Sequence, residues 1–223
     1  MAPLDRVLLA WSSGKDSAFC LHVLRQQGIE VTGLLTTVDE GVDRVSMHAV
    51  RVDLLRAQAN AVGLPLAEVR IPSPCSDEAY SAVMAAALAE VRALGTTAVA
   101  FGDLFLEDVR RYREQRMAGT GLRPLFPLWG RPTRALAEEM IALGQKAVLT
   151  CVDPRVLPRE LAGRPFDASL LRELPTGVDA CGENGEFHTF VTDGPVFRRP
   201  VQARVGDIVE RDGFVFADLR EEP

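Results

Sequence analysis

Ser12-Ser13-Gly14-Lys15-Asp16-Ser17 brings hydroxyls, an ammonium and a carboxylate together directly after the apolar run Val7-Leu8-Leu9-Ala10-Trp11. A buried strand that runs into small residues and then into a helix aims several free backbone N–H groups at one point. The positive end of the helix dipole falls there too, which makes an anion site. Gly14 lets the backbone approach an anion closely. Ser12, Ser13 and Ser17 add hydroxyl donors, and Lys15 adds a mobile positive charge, a set that suits nucleotide phosphates. Asp16 is a poor phosphate contact by itself; it can cap the helix N–H groups or help hold Mg²⁺. The Walker pattern Gly-x-x-x-x-Gly-Lys-[Ser/Thr] is absent. A small-residue turn with a helix cap is the plain alternative, and the place of the loop at the end of the first strand favours the phosphate reading.

Other residues with chemistry lie farther along the chain. Asp103 follows a fourth strand and either reaches the site or makes a turn. His48 either contacts nucleotide or substrate or is a hydrogen-bonded structural histidine. His188 either orients Glu186 or caps a strand, and His22 is placed for packing inside the first helix. Trp129 fits packing at a domain junction better than a stacking platform. The cluster Arg110, Arg111, Arg113 and Arg116 is either a local basic pocket or a solvated helix face.

The elements that must position these groups alternate. Strands are expected over 7–11, 31–37, 66–71 and 98–101. Helices are expected over 18–27, 50–62, 77–94 and 107–118, with Gly28 and Gly63 as stops and Ser76 as a cap before Asp77 and Glu78. That alternation predicts an α/β fold: a parallel sheet with helices on both faces, and a ligand beyond the carboxyl ends of the strands. After Gly130 the pattern changes. Thr133 is expected to cap a short helix to Leu143, a strand covers 146–152, and a proline-broken stretch covers 154–175. Strands follow at 187–191, 201–205 and 208–218, with Asp212-Gly213 as a type I′ hairpin signal. The expected division is a nucleotide-binding domain over residues 1–130 and a smaller α+β domain over 131–223.

Composition narrows the classes. The chain has 223 residues, 47% hydrophobic and 25% charged, and a formal net charge of −6. Those fractions are those of a globular protein with a sizeable core. The negative charge argues against a broad nucleic-acid footprint, which shows as a basic stripe. Cys20, Cys75, Cys151 and Cys181 form no Cys-x-x-Cys pair, so free thiols and no structural zinc are expected. No signal-peptide pattern and no long apolar run is visible, so a cytoplasmic protein without a membrane span is expected.

The loop resembles the Ser-Gly-Gly-x-Asp-Ser signature of PP-loop ATP pyrophosphatases, which cleave ATP between the α and β phosphates. Ser13 stands where that signature has glycine, and a serine fits there if its backbone keeps a negative φ. Further segments sharpen the resemblance: Ser46-Met47-His48, Gln58-Ala59 through Gly63-Leu64-Pro65, Gly102-Asp103 with Tyr112-Arg113 and Arg116, and Pro127-Leu128-Trp129. The most distinctive is Cys181-Gly182-Glu183-Asn184-Gly185-Glu186-Phe187-His188-Thr189-Phe190, followed by Asp193-Gly194-Pro195. Together they are similar to the diphthine–ammonia ligase family, from the first strand to about Phe197.

The resemblance implies a nucleotide-binding α/β domain with a smaller C-terminal domain closing over the active site. It also implies a reaction in which ATP adenylates a substrate carboxylate, releasing pyrophosphate, and ammonia displaces AMP to give an amide. Lys15, Glu183 and Glu186 would be catalytic, the glutamates binding ammonium or taking its proton. Ser12, Ser13, Gly14, Lys15, Asp16, Ser17, His48, Gly102 and Asp103 would bind ATP. Arg113, Arg116, Gly185 and His188 would bind substrate, and Asp16 would hold Mg²⁺. The namesake acceptor is diphthine on elongation factor 2. The stretch from Gly102 to Asp108 looks more like bacterial members, which would imply another carboxylate, such as a small molecule. A nucleotide-binding regulator without turnover and an RNA-modifying PP-loop enzyme are the other classes; the glutamate-rich motif counts against the first, the cysteine spacing and net charge against the second.

Overall fold

The computed structural model describes residues 5–45 and 49–222. Ser46, Met47 and the expected nucleotide contact His48 lie outside the described residues. The first half alternates strand and helix: β1 (Arg6–Ala10), α1 (Lys15–Gln26), β2 (Glu30–Asp39), β3 (Arg44–Val45), α2 (Val52–Val62), β4 (Leu66–Ile71), α3 (Asp77–Ala93), β5 (Ala98–Ala100), α4 (Glu107–Met117) and β6 (Arg123–Leu125). β4, β2, β1, β5 and β6 lie side by side and parallel, and β3 adds antiparallel to the end of β2. Strand alternation sends Val7 and Leu9 to one face, against α1 and α2, and Leu8 and Val99 to the other, against α3 and α4.

The chain steps outward from β1 through β2 to β4, and α3 then carries it back across the sheet to β5. The connections leave β1 and β5 in opposite directions. The crevice beyond their carboxyl ends is therefore the topological switch point, where ligands bind in sheets of this kind. Both the Ser12–Ser17 loop and Gly102-Asp103 leave the sheet there.

The second half comprises α5 (Thr133–Ala142), β7 (Lys146–Val152), α6 (Ala168–Glu173), β8 (Phe187–Asp193), β9 (Ala203–Arg211) and β10 (Phe214–Glu221). Its strands form an antiparallel sheet in the order β8-β7-β10-β9. This sheet shares a core with the α1 face: Phe187, Phe190, Val191 and Val215 belong to one buried cluster with Leu9, Phe19 and Leu21.

Local signals account for several elements. Ser76 accepts a hydrogen bond from the Ala79 amide at 3.1 Å and so caps α3. Asp212 and Gly213 take φ of 52° and 80°, the two positive angles of a type I′ turn. Thr133 differs from expectation: it is the first helical residue after Pro132, and its hydroxyl is spent on Asp179 rather than on capping. β6 and α6 go beyond the expected elements. Pro124 sits in β6, tolerated because β6 pairs only with β5 at the sheet edge. α6 forms inside the proline-broken stretch because Asp167 caps it, accepting from the Leu170 amide at 2.8 Å.

Candidate active site

The phosphate-loop candidate is held from behind by buried groups. Gly14 opens α1 with an extended backbone (φ −86°, ψ 171°) and no side-chain cap. Ser13 adopts φ 71°, which corrects the expectation of a negative φ there. The position imposes the left-handed conformation that favours glycine, and the serine occupies it anyway. The Ser13 carbonyl accepts from the Val191 amide at 3.0 Å and from Gln58 Nε2 at 3.1 Å. Gln58 also donates to the Val191 carbonyl at 2.6 Å and accepts from the Trp11 indole at 2.9 Å. The Ser13 hydroxyl is buried with no partner among the described residues.

The start of α1 is tied to the second sheet. The Lys15 amide donates to Thr189 Oγ1 at 3.0 Å, and Gln145 donates to the Lys15 carbonyl at 3.0 Å. Ser17 donates to the Gly14 carbonyl at 2.9 Å, and Ser12 to Ser17 at 3.3 Å. Gly102 lies against this turn so closely that a Cβ there would stand 3.1 Å from the Asp16 carbonyl carbon and 3.2 Å from the Ser17 nitrogen. Any side chain at 102 would require the β5 loop or the first turn of α1 to shift by a few tenths of an ångström.

Lys15 is not the mobile cation expected from its loop. Its ammonium is buried, paired with Asp16 Oδ2 at 2.7 Å and hydrogen-bonded to the Cys181 carbonyl. The rings of Phe166 and Phe187 flank it, with centroids 5.7 and 5.5 Å from Nζ. Burial acts to lower its pKa, yet the Asp16 charge, with help from Cys181 and Glu183, holds it above the usual value. The lysine therefore stays cationic in a dry setting. Asp16 does not cap α1; its Oδ2 faces Lys15, and its Oδ1 is buried without a partner among the described residues.

The two glutamates of the second motif part company. Glu183 turns toward the switch point, where Oε1 accepts from the Leu104 amide at 2.7 Å. Burial pushes its carboxyl up to about 7, against the Leu104 hydrogen bond and with help from the Asp16 and Asp103 charges. Glu186 turns into its own loop. Oε1 accepts from the Asp179 amide at 3.0 Å and from Asn184 Nδ2 at 2.9 Å, and Oε2 accepts from the Asn184 amide at 3.0 Å. Asp179 answers by accepting from the Cys181 and Glu183 amides, both at 3.0 Å. Glu186 and Asp179 thus fasten the 179–186 loop to itself and aim Glu183. The loop also needs its glycines: Gly182 (φ 69°) would put a Cβ 2.8 Å from the Phe187 carbonyl oxygen, and Gly185 has φ 87°.

One cavity of about 530 Å³ collects most of the expected site. Ser12, Lys15, Asp16, Ser17, Gly102, Asp103, Arg113, Glu183 and His188 line it, together with Leu35, Thr36 and Thr37 at the end of β2. Asp103 Oδ2 accepts from Arg113 Nε at 3.3 Å, and that guanidinium lies 5.0 Å from the Phe101 ring centre. Burial, with the Lys15 charge, takes His188 down to about 4, so it is a neutral imidazole near pH 7. Ser13 and Gly14 shape the loop from behind. Glu186, Gly185 and Arg116 do not line the cavity. Arg116 sits over Tyr112 and donates to Ser81 Oγ at 2.6 Å, outside this space.

Sequence reasoning gave Gln58 and Asp179 no role. Gln58 is a buried amide on an otherwise apolar helix face, which is a usable signal, because such a group must find partners. Asp179 resembles any aspartate near a turn.

Comparisons with known proteins agree with this architecture. Residues 5–124 match the family described as "Diphthamide synthase N-terminal domain", and residues 132–215 match "Diphthamide synthase C-terminal domain". A Danio rerio protein named diphthine–ammonia ligase is 29% identical over 236 aligned residues, covering 96% of this chain and 92% of the relative. A Bos taurus protein of the same name is 33% identical over 120 residues, which is 51% of this chain and 45% of the relative. The Schizosaccharomyces pombe protein of that name is 25% identical, and the match spans 92% of this chain but 37% of the relative. The match thus spans less than half of the bovine and fission-yeast relatives. With both matched segments placed in order around one cavity, the chain belongs to the diphthamide synthase family.

Proposed function

We propose that the chain is an ATP-dependent ligase that joins ammonia to a carboxylate with release of AMP and pyrophosphate. In this reading residues 1–130 bind the nucleotide and residues 131–223 close the site. The observation that carries it is Glu183 lining the same cavity as the Ser12–Ser17 loop, although the two lie far apart in sequence. The relatives named diphthine–ammonia ligase support the same chemistry.

The acceptor's carboxylate oxygen attacks the α-phosphorus and pyrophosphate leaves. Ammonia then attacks the acyl carbon, and AMP leaves with both electrons of the broken C–O bond. The residues fit these demands. The N-terminus of α1 offers fixed positive potential to the developing pyrophosphate charge, and the cationic Lys15, though paired with Asp16, lines the same cavity. Glu183, held near neutrality, can take the proton that ammonium must lose before it attacks, since a base poised near the working pH serves best. His188, a neutral imidazole, adds a hydrogen-bonding group without a second positive charge.

Among the described residues no cluster of three or more histidine, cysteine or acidic side chains could hold a metal ion. Mg²⁺ therefore suits the role of a partner of the nucleotide, bound through phosphates and one or two carboxylates, with the unpartnered Asp16 Oδ1 as the protein oxygen best placed. When bound it neutralises phosphate charge. An RNA-modifying reaction through a cysteine pair fits poorly, because burial pushes the Cys20 thiol up, and the Cys151 and Cys181 thiols up to about 12, and a thiol nucleophile must ionise. Among the described residues no helix is long and apolar enough to cross a membrane.

The test is product identity. With MgATP, ammonium and a panel of carboxylates, AMP and pyrophosphate should appear together with an amide. ADP and phosphate as main products would refute the proposal.

A further inference from the structure

A second cavity of about 320 Å³ adjoins the first. It lies between α3 and α4, on the sheet face opposite α1, and shares Leu35, Tyr80, Met84, Phe101 and Arg113 with the nucleotide cavity. Leu88, Val99 and Met117 make its floor apolar. The charged side chains lining it are Arg113 and Arg116, and no acidic residue does so among those described. Arg113 stands on the shared wall and is paired with Asp103. Arg116 has no carboxylate partner among the described residues; it is held by Ser81 Oγ at 2.6 Å and by the Tyr112 ring at 5.1 Å.

We propose that this cavity holds the body of the acceptor, and that the acceptor is a small organic acid carrying a second anionic group. The proposal rests on the ligase reading above. The carboxylate to be activated passes Arg113 toward the nucleotide, the apolar body lies over Leu88, Val99 and Met117, and the far anion meets Arg116. At about 30 Å³ for a water-sized group, the space admits roughly ten heavy atoms. An acceptor whose far end is cationic would meet the Arg116 guanidinium there and no acidic side chain among the described residues. A guanidinium beside an apolar floor, already oriented by a hydroxyl and a ring, suits a carboxylate or phosphate.

Three six-carbon acids serve as probes: adipate with an anionic far end, hexanoate with an apolar one, and 6-aminohexanoate with a cationic one. Binding to the whole protein, loaded with Mg²⁺ and the α,β-methylene analogue of ATP, is followed by calorimetry at millimolar acid. Adipate should bind about three- to fivefold more tightly than either other acid, the scale of one ion pair to a solvent-exposed guanidinium such as that of Arg116. Arg116→Gln should erase that preference while leaving hexanoate and the nucleotide analogue within about twofold of the parent protein. Arg116→Lys should retain part of it. Equal affinity for the three acids, or a preference that survives Arg116→Gln, overturns the proposal. So does displacement of the nucleotide by adipate, which would mean that the cavity belongs to the adenosine moiety. Failure of the protein to bind the nucleotide analogue would instead sink the ligase reading, whereas nucleotide binding without adipate preference sinks only this inference.

Discussion

Replacing Glu183 with glutamine should move activity and stability in opposite directions. The Glu183 carboxyl rises from its ordinary 4.5 to about 7 in the fold, with burial as the leading cause. A carboxyl with a raised pKa binds its proton more tightly in the folded than in the unfolded chain. Stability is therefore lost as pH rises from about 4.5 to about 7, and the penalty is complete above that. At about 1.4 kcal/mol per pH unit the full difference is about 3 kcal/mol. Solvent at the cavity mouth screens part of it, leaving on the order of 1–2 kcal/mol. Glutamine cannot ionise, and its amide oxygen can still accept from the Leu104 amide, so Glu183→Gln should remove this penalty. Chemical denaturation at pH 4 and pH 8.5 checks it: the variant should gain on the parent as pH rises, with little difference at the lower value, which lies below both the ordinary and the folded pKa. In the same preparations AMP release should fall by about 10²–10⁴-fold, the usual contribution of a general base. The parent's rate should also climb through pH 7 with a dependence that the variant lacks. A variant that is slower but shows no relative gain in stability at pH 8.5 would refute the buried-carboxylate argument. One that gains stability yet keeps full turnover would remove Glu183 from the chemistry.

Ser13→Gly should stabilise the protein by about 1 kcal/mol, because it relieves a left-handed serine backbone and removes a buried hydroxyl without a partner. Thermal melting should show a rise of about 2–4 °C with nucleotide affinity retained, and a fall would contradict the strain argument. Glu186→Gln places an amide NH₂ among three N–H donors and should destabilise by about 1–3 kcal/mol. The melting temperature should drop, and nucleotide affinity and turnover should suffer together; loss of turnover alone would mark Glu186 as catalytic. Gly102→Ala forces a methyl to 3.1 Å from the Asp16 carbonyl carbon. The apparent affinity for MgATP should fall on the order of tenfold, because small displacements of positioning groups carry large kinetic effects. An unchanged value would show that the loop adapts.

The parallel sheet was legible because its strands are continuous apolar runs separated by helices with clear stops at Gly28 and Gly63. The place of the site followed from the same pattern. The loop and Gly102-Asp103 end neighbouring strands that leave the sheet in opposite directions. What sequence could not show is where side chains turn. Glu183 and Glu186 look equivalent three residues apart, yet the glycine conformations at 182 and 185 send one into the cavity and the other into the loop. Lys15 reads as a phosphate ligand, while its surroundings beyond the adjacent Asp16, namely Phe166, Phe187 and the Cys181 carbonyl, come from segments that only tertiary folding brings near. The positive φ of Ser13 was misread because the hydrogen bonds that enforce it come from Gln58 and Val191. Short elements such as β6 escaped because pairing with a neighbour, not local propensity, makes them.

The dependence of the 12–17 loop on β8 also bears on biosynthesis. The Lys15 amide and its Thr189 acceptor are 174 positions apart, and Val191 secures Ser13 across a similar span. Contacts this remote carry a large loop-closure penalty and form late. As the chain emerges from the ribosome, its parallel sheet can assemble from neighbouring segments, but the Lys15 amide and the Ser13 carbonyl must wait for their β8 partners, Thr189 and Val191. The 12–17 turn, made well before β8, is therefore among the last to reach its final shape. A polypeptide halted before β8 would carry the sheet without a finished 12–17 turn, so a finished turn marks a chain whose second sheet has been made and docked.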